Sequence, residues 1–167
     1  MARSRAVVVA SLAAVSVLGA SALGWWLGGL ARTADPEVRV VEVIDGDTIV
    51  VALANGTTDT VRLLGVDTPE TKHPTKGVEC FGPDASAFTK HALTGRVVRL
   101  ESDIERRDIY GRRLAFVWVD GHRFNDLLLR LGYARFLVIP PNGRYGRDLL
   151  AAELAARRSD RGLWGEC

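Results

Sequence analysis

Five side chains in the middle of this 167-residue chain have the types and spacing that phosphodiester chemistry uses. Asp47 stands in VIDGDTIV, Arg62, Asp67 and Glu70 in VRLLGVDTPETKHPTKGVECFGP, and Arg112 in YGRRLAF. Three carboxylates and two guanidiniums, gathered by one short domain, suit cleavage of a phosphodiester with a metal ion. Two carboxylates, a backbone carbonyl and waters form the oxygen-rich shell that a hard cation such as Ca²⁺ accepts. Zn²⁺ fits less well, because no histidine or thiolate stands nearby in the sequence. A planar guanidinium holds two phosphate oxygens at once, and Glu70, three residues from Asp67, is close enough to act as a base on the attacking water.

Each residue alone has a plainer explanation. Asp45 and Asp47 flank a glycine and can simply stabilise a turn, and Arg62, between apolar neighbours in a strand, can close a structural salt bridge. Arg112, behind Tyr110-Gly111, invites the same two readings, and an exposed Glu70 is ordinary surface. His73, His91 and His122 show neither triad nor metal spacing, and Ser86 has no local activating partner. Lys72, Lys76, Arg106 and Arg107 are solvated charges first and phosphate contacts second.

The elements that must position these groups are short. Residues 38–43 and 48–53 read as strands around Asp45-Gly46-Asp47, and Asn55-Gly56 offers a second tight turn. A third strand spans 58–66, weakened by Gly65 and ended by Pro69, which cannot donate to a ladder; Asp47 and Asp67 are then offered from loop edges. A loop over 71–82 leads to a helix opened by Pro83-Asp84 and closed by Gly95. Strands at 97–102 and 113–119 follow, then a helix over 124–131 with Asn125 as its cap and a last helix over 148–158. Five strands and three helices in one mainly β, α+β domain suggest a small antiparallel barrel with helices packed on it.

Residues 1–34 are different in character. After Arg3 and Arg5 no charge occurs until Arg32, so residues 6–31 are long enough to span a bilayer, which takes about 20 apolar residues. The basic start, apolar core and small-x-small triplet at Ala20-Ser21-Ala22 equally fit a secretory signal. Trp25 and Trp26 lie where an interfacial belt would sit. A cleaved signal and an uncleaved anchor both remain open, and both put residues 35–167 outside the cytoplasm, touching the membrane only through the leader if it is kept. Of the 22 Lys+Arg, three lie in this leader, leaving 19 against all 20 Asp+Glu. The exported domain is near neutral, which excludes a general positive field as its route to nucleic acid and requires a local basic face. Cys80 and Cys167 are too few for a thiolate zinc site, and export favours a disulfide between them. Closing that loop is worth roughly 4 to 5 kcal/mol in the chain-entropy model.

From about residue 38 to residue 164 the chain resembles the thermonuclease, or staphylococcal nuclease-like, family, most specifically through VDTPETKHPTKGVE and FGPDASAFTK. The resemblance implies a five-stranded OB-fold barrel with three packed helices. It also implies a monomeric, Ca²⁺-dependent endonuclease that cleaves DNA and RNA to leave 3′-phosphates. Asp47, Asp67 and the Thr68 carbonyl match the Ca²⁺ ligands, Glu70 the general base, and Arg62 and Arg112 the catalytic arginines. Tyr110 matches a tyrosine of the nucleotide site, and Lys72 and Lys76 are grouped with it as substrate contacts. Ile109 replaces a phosphate-contacting lysine of the best-known member, and residues 136–140 lack the tyrosines that pack a base there. The rival from another class is a non-catalytic OB-fold that binds single-stranded nucleic acid, but such a binder needs stacking aromatics more than it needs all five charged residues.

Overall fold

The computed structural model describes residues 36–71 and 77–167. The chain divides into two units, Met1–Ala34 and Asp35–Cys167. The expected signal or anchor helix falls in the first unit, and Lys72, His73 and Lys76 fall in residues 72–76; all lie outside the described residues.

Five strands form the barrel: β1 (Glu37–Val43), β2 (Thr48–Ala52), β3 (Thr58–Leu63), β5 (Val97–Glu101) and β6 (Arg113–Val119), with β4 (Gly65–Asp67) branching from it. Their order is β3-β2-β1-β5-β6, and β3 pairs with β6 to close the ring. The closing pair is parallel, Val61 opposite Arg113 and Leu63 opposite Ala115, whereas the other four pairings are antiparallel. An all-antiparallel barrel of five strands cannot close, because directions that alternate around an odd ring must meet alike once. Inside, Val40, Ile49, Val51, Val61, Leu63, Leu100, Leu114 and Phe116 are buried by the two-residue alternation of their strands. The alternation slips in β1, where the register shifts between Val40 and Glu42; this bulge leaves Val41 exposed.

The single strand expected over 58–66 is broken. Gly65 has φ +75°, a conformation that side-chain-bearing residues rarely adopt, and a Cβ there would lie 2.3 Å from Leu149 Cδ1, so glycine suits this turn beside the neighbouring helix. The turn peels β4 off the barrel to pair with β8 (Arg135–Leu137), placing Asp67 opposite Arg135. A two-residue strand, β7 (His122–Arg123), extends the sheet beyond β6.

The three expected helices are present as α1 (Gly82–Leu93), α2 (Phe124–Arg130) and α3 (Gly146–Arg157), and a short α4 (Leu163–Glu166) follows. Asn125 does not cap α2. It lies inside the helix, fully buried, where its Oδ1 accepts from the Val117 N–H (2.9 Å) and its Nδ2 donates to the Leu64 carbonyl (2.7 Å). The break between β3 and β4 takes Leu64 out of the regular strands, and Asn125 supplies a partner for its carbonyl. Cys80 and Cys167, 87 residues apart, are joined by a disulfide with their Cα atoms 6.0 Å apart. Among the described residues no helix is long and apolar enough to cross a membrane.

Candidate active site

The hairpin between β1 and β2 sets the first carboxylate. Ile44 N–H donates to the Thr48 carbonyl (2.9 Å), and within the turn the Asp47 N–H donates to Asp45 Oδ1 (3.1 Å), the local bond that suits aspartate to turns. Helix α1 supports the turn from behind, through Thr89 Oγ1 donating to the Gly46 carbonyl (2.8 Å). The β4 branch then lays Thr68 across the start of β2. Thr68 donates its N–H and its hydroxyl to Asp47 Oδ2 (2.9 and 3.2 Å), while Thr48 Oγ1 donates to Oδ1 (3.0 Å). Asp47 stands at the loop edge just before β2 but is buried there, because the Thr68 turn covers it. Asp67 does sit at a strand end, with its side chain half exposed.

Arg62 joins the two. It projects from β3, 6% exposed, and Nη2 lies 3.1 Å from Asp47 Oδ2 and 2.9 Å from Asp67 Oδ1. Its Nη1 donates to the carbonyls of Leu63 (2.8 Å) and Val66 (2.7 Å), so the same guanidinium fastens the bend between β3 and β4. Every one of these contacts is with the protein itself, so they give Arg62 the structural salt bridge.

Arg112 comes from the loop before β6. Its Nε donates to Asp108 Oδ2 (2.7 Å), and Asp108 Oδ1 accepts from the backbone N–H groups of Arg112 (2.9 Å) and Tyr110 (3.0 Å). Burial would raise the Asp108 carboxyl, but these bonds outweigh it and hold the group below its ordinary value. The Tyr110 ring is 77% exposed, with the Arg112 guanidinium 5.4 Å from its centre.

One cleft of about 110 Å³ collects Asp45, Asp47, Arg62, Asp67, Thr68, Glu70 and Arg112, with Thr48 beside them. Four carboxylates thus face two guanidiniums. Burial, and next the charge of Asp47, push the Asp45 carboxyl up from 3.8 to about 6, and Glu70 adds to the effect. Burial also raises Asp67; Arg62 opposes this, while the charges of Asp47 and Glu79 add to it. Such a set of oxygen donors with surplus negative charge fits a hard divalent cation. Among the described residues no three acidic, histidine or cysteine side chains form a ready-made cage, so protein carboxylates alone do not complete a shell here.

All the residues expected to do chemistry or to hold metal, among those described, meet in this cleft, with Tyr110 reached through Arg112. Asp45 belongs to it too, although its sequence suggests only a turn. Asp108 is missed by the sequence reading; an aspartate four residues before an arginine across Tyr-Gly is a turn signal that could have found it. Glu79 also lies close enough to act on Asp67, and no sequence pattern links the two.

A family model described as staphylococcal nuclease homologue matches residues 60–166. The chain is 38% identical over 159 residues to a thermonuclease of Staphylococcus hyicus, covering 95% of this chain and 94% of that protein. It is 45% identical over 125 residues to a thermonuclease of Staphylococcus intermedius, covering 75% and 74% of the two chains. It is also 43% identical over 131 residues to endonuclease YncB of Bacillus subtilis strain 168, covering 77% and 62%. These matches, together with the barrel fold, give the class as a phosphodiester-hydrolysing nuclease. This chain belongs to the staphylococcal nuclease homologue family.

Proposed function

We propose that the domain is an exported, Ca²⁺-dependent endonuclease that hydrolyses DNA and RNA to products bearing 3′-phosphates, acting as a monomer. The observation that carries the reading is the single cleft holding Asp47, Arg62, Asp67, Glu70 and Arg112 together with Thr68. Asp47, Asp67 and the Thr68 carbonyl are the protein groups that would hold the cation. Bound there, it would supply positive charge against the phosphoryl oxygens.

The chain's own residues do the rest. Arg62 and Arg112 are fixed in advance by Asp67 and Asp108, and prearranged donors stabilise a transition state without reorganising. Glu70 takes the proton from the attacking water, and a positioned base contributes about 10² to 10⁴-fold. Arg112 is the protein group available to donate toward the departing 5′ oxygen. Tyr110 flanks Arg112 as a contact for the substrate beside the scissile phosphate, and Lys72 and Lys76 serve as further phosphate contacts. The leader supports export, whether cleaved or kept as an anchor, and in an oxidising compartment Cys80 and Cys167 remain joined.

The test is to incubate the purified protein with plasmid DNA and with RNA, adding Ca²⁺, Mg²⁺ or a chelator, and to analyse the ends of the products. We expect both substrates to be cut with Ca²⁺, less with Mg²⁺, which demands a tighter octahedron, and not at all under chelation. Full activity with the metal removed, or products ending in 3′-hydroxyls, would overturn the respective part. Binding without cutting under every condition would return the domain to the nucleic-acid-binding alternative.

A further inference from the structure

Glu70 lies three residues beyond β4, outside any helix or strand, yet a base must be held within fractions of an ångström of its working position. Both polar groups of its main chain are held by one residue. The Glu70 N–H donates to Glu79 Oε2 (3.1 Å), and the Glu70 carbonyl accepts from the Glu79 N–H (2.9 Å). Three residues on, Gly82 packs against the same turn. A Cβ at 82 would meet the Glu70 carbonyl oxygen at 2.8 Å and the Pro69 oxygen at 3.0 Å, so the approach is open only to glycine. Residues 79–82 thus form a template on which the Glu70 turn is moulded.

The template is itself anchored at two points. Phe81, with φ +67°, stacks on Tyr133 at 5.4 Å between ring centres and leads directly into α1. Cys80, between Glu79 and Phe81, is bonded to Cys167 beyond α4. α4 is fastened to the body of the domain, with the Leu163 N–H donating to the Gly132 carbonyl (2.9 Å) and Leu163 buried. Both cysteines are exposed, so the bridge fills no core, and what it fixes is the path of the chain next to Glu79.

We propose that Glu79 and the Cys80–Cys167 disulfide are positioning elements for Glu70, so that cutting either link lowers the rate of the chemical step as well as stability. This rests on reading Glu70 as the base. It gives the disulfide a function besides the chain-entropy effect that any bridge of this span would have.

The experiment measures kcat and KM for DNA cleavage with Ca²⁺ by the full chain, well below each variant's unfolding midpoint. The variants are Glu79→Ala, Glu79→Gln and the double change Cys80→Ser/Cys167→Ser, each in the parent and in a Glu70→Gln background. Glu79→Ala and the double-serine variant should lower kcat about 10- to 100-fold with KM nearly unchanged, the scale of a small misplacement of a reacting group. Glu79→Gln keeps a side-chain acceptor for the Glu70 N–H and should cleave nearly as fast as the parent. In the Glu70→Gln background neither link should matter further, because elements acting through one group are not additive.

Parental kcat in Glu79→Ala would overturn the proposal, and so would an equal loss in both backgrounds. Should the double-serine variant fail to fold, Glu79→Ala, which keeps the bridge, decides for the Glu79 link, and mild reduction of the native protein by a dithiol decides for the bridge. The same loss of kcat on reduction supports the bridge's role, and an unchanged kcat with both thiols shown free overturns it. If Glu70→Gln itself cuts at the parental rate, the base reading fails first; if it is slow while Glu79→Ala is fast, only the positioning role fails.

Discussion

The barrel carries two kinds of acid–arginine cluster built from the same side chains, and they behave in opposite ways. In the cleft, Asp45 and Asp67 are pushed above their ordinary values. On the wall by the β3–β6 closure, Asp59 accepts from Arg107 (3.0 and 2.9 Å) and Arg113 (3.1 Å), and although burial opposes it, those two arginines hold its carboxyl below the ordinary value. Glu101 behaves like Asp59: burial alone would raise it, but the side-chain bonds from Arg144, Tyr145 and Trp118 pull it down.

Burial is the first cause of the rise in the cleft, and stoichiometry and choice of partner decide whether arginines offset it. Asp59 is one carboxylate facing two guanidiniums. The cleft sets four carboxylates against two, and Arg62 gives Nη1 wholly to backbone carbonyls. A satisfied cluster is a strut: Asp59 ties β3 to the loop and strand that close the ring, and Glu101 ties β5 to the segment before α3. An under-neutralised cluster costs the metal-free fold some stability, and under the proposed function a bound cation would supply the missing positive charge.

The sharpest way to break this comparison is Glu70→Gln, which leaves the struts intact and removes the proposed base. We expect turnover to fall about 10² to 10⁴-fold with Ca²⁺, with nucleic-acid affinity and the unfolding midpoint nearly unchanged. A parental rate would leave the cleft no more catalytic than the wall. Next in size is Arg62→Lys. It keeps a charge but cannot reach two carbonyls and two carboxylates together, so turnover and stability should fall together, the latter by about 2 to 4 kcal/mol, since a buried ion pair is left incomplete. Denaturant unfolding beside single-turnover rates checks both. A stability loss with normal turnover would make Arg62 another strut.

The residues of the cleft were legible in sequence because they cluster: Asp47, Arg62, Asp67 and Glu70 follow one another through two adjoining strands and the turn after them, segments too short to hide their order. What was not legible depends on contacts across the fold. Asn125 follows the pattern of a helix cap, but a buried carbonyl at Leu64, left out of the strands by the bend at Gly65, claims its side chain. The bend itself is a positive-φ glycine pressed against Leu149, a neighbour from the third helix that no local pattern connects to it. The parallel closure follows from strand count only once the strand order is known. Asp59, one acidic residue between threonines, gives no sign that Arg107 and Arg113, far along the chain, will meet it.

A smaller effect separates the clusters by the direction of titration. Burial and the charge of Asp47 keep a proton on Asp45 to about pH 6 against 3.8 for the ordinary group, so in the metal-free protein this site favours folding at low pH and loses that advantage as pH rises through about 6. Asp45→Asn should therefore raise the stability of the metal-free protein at pH 7, by roughly 1 to 2 kcal/mol once solvent screening is allowed for, and flatten its rise between pH 7 and 5. Urea unfolding in chelator at the two pH values measures it. An unchanged or lower stability at pH 7 would mean that the cleft stores no surplus charge.

The smallest effect is expected at Asp59→Asn, and its sign must be the reverse. The Asp59 carboxyl is held below its ordinary value, so its contribution is fully present above about pH 4 and disappears only as the pH falls through the lower folded value. Asn at this position removes the charge that Arg107 and Arg113 answer. Because Arg107 is itself half exposed, solvent screens part of that attraction, and the loss at pH 7 should be only about 1 kcal/mol. The loss should shrink as the pH falls through the lowered folded value, where the parent's carboxylate takes up its proton as well. Cleavage with Ca²⁺ should stay at the parental rate, since Asp59 and its two arginines do not line the cleft. Urea unfolding across pH 7 to 2, with turnover measured on the same preparations, decides the matter. If Asp59→Asn slows cleavage as Arg62→Lys does, then the wall cluster is coupled to the chemistry, and direction of titration does not divide strut from site in this barrel.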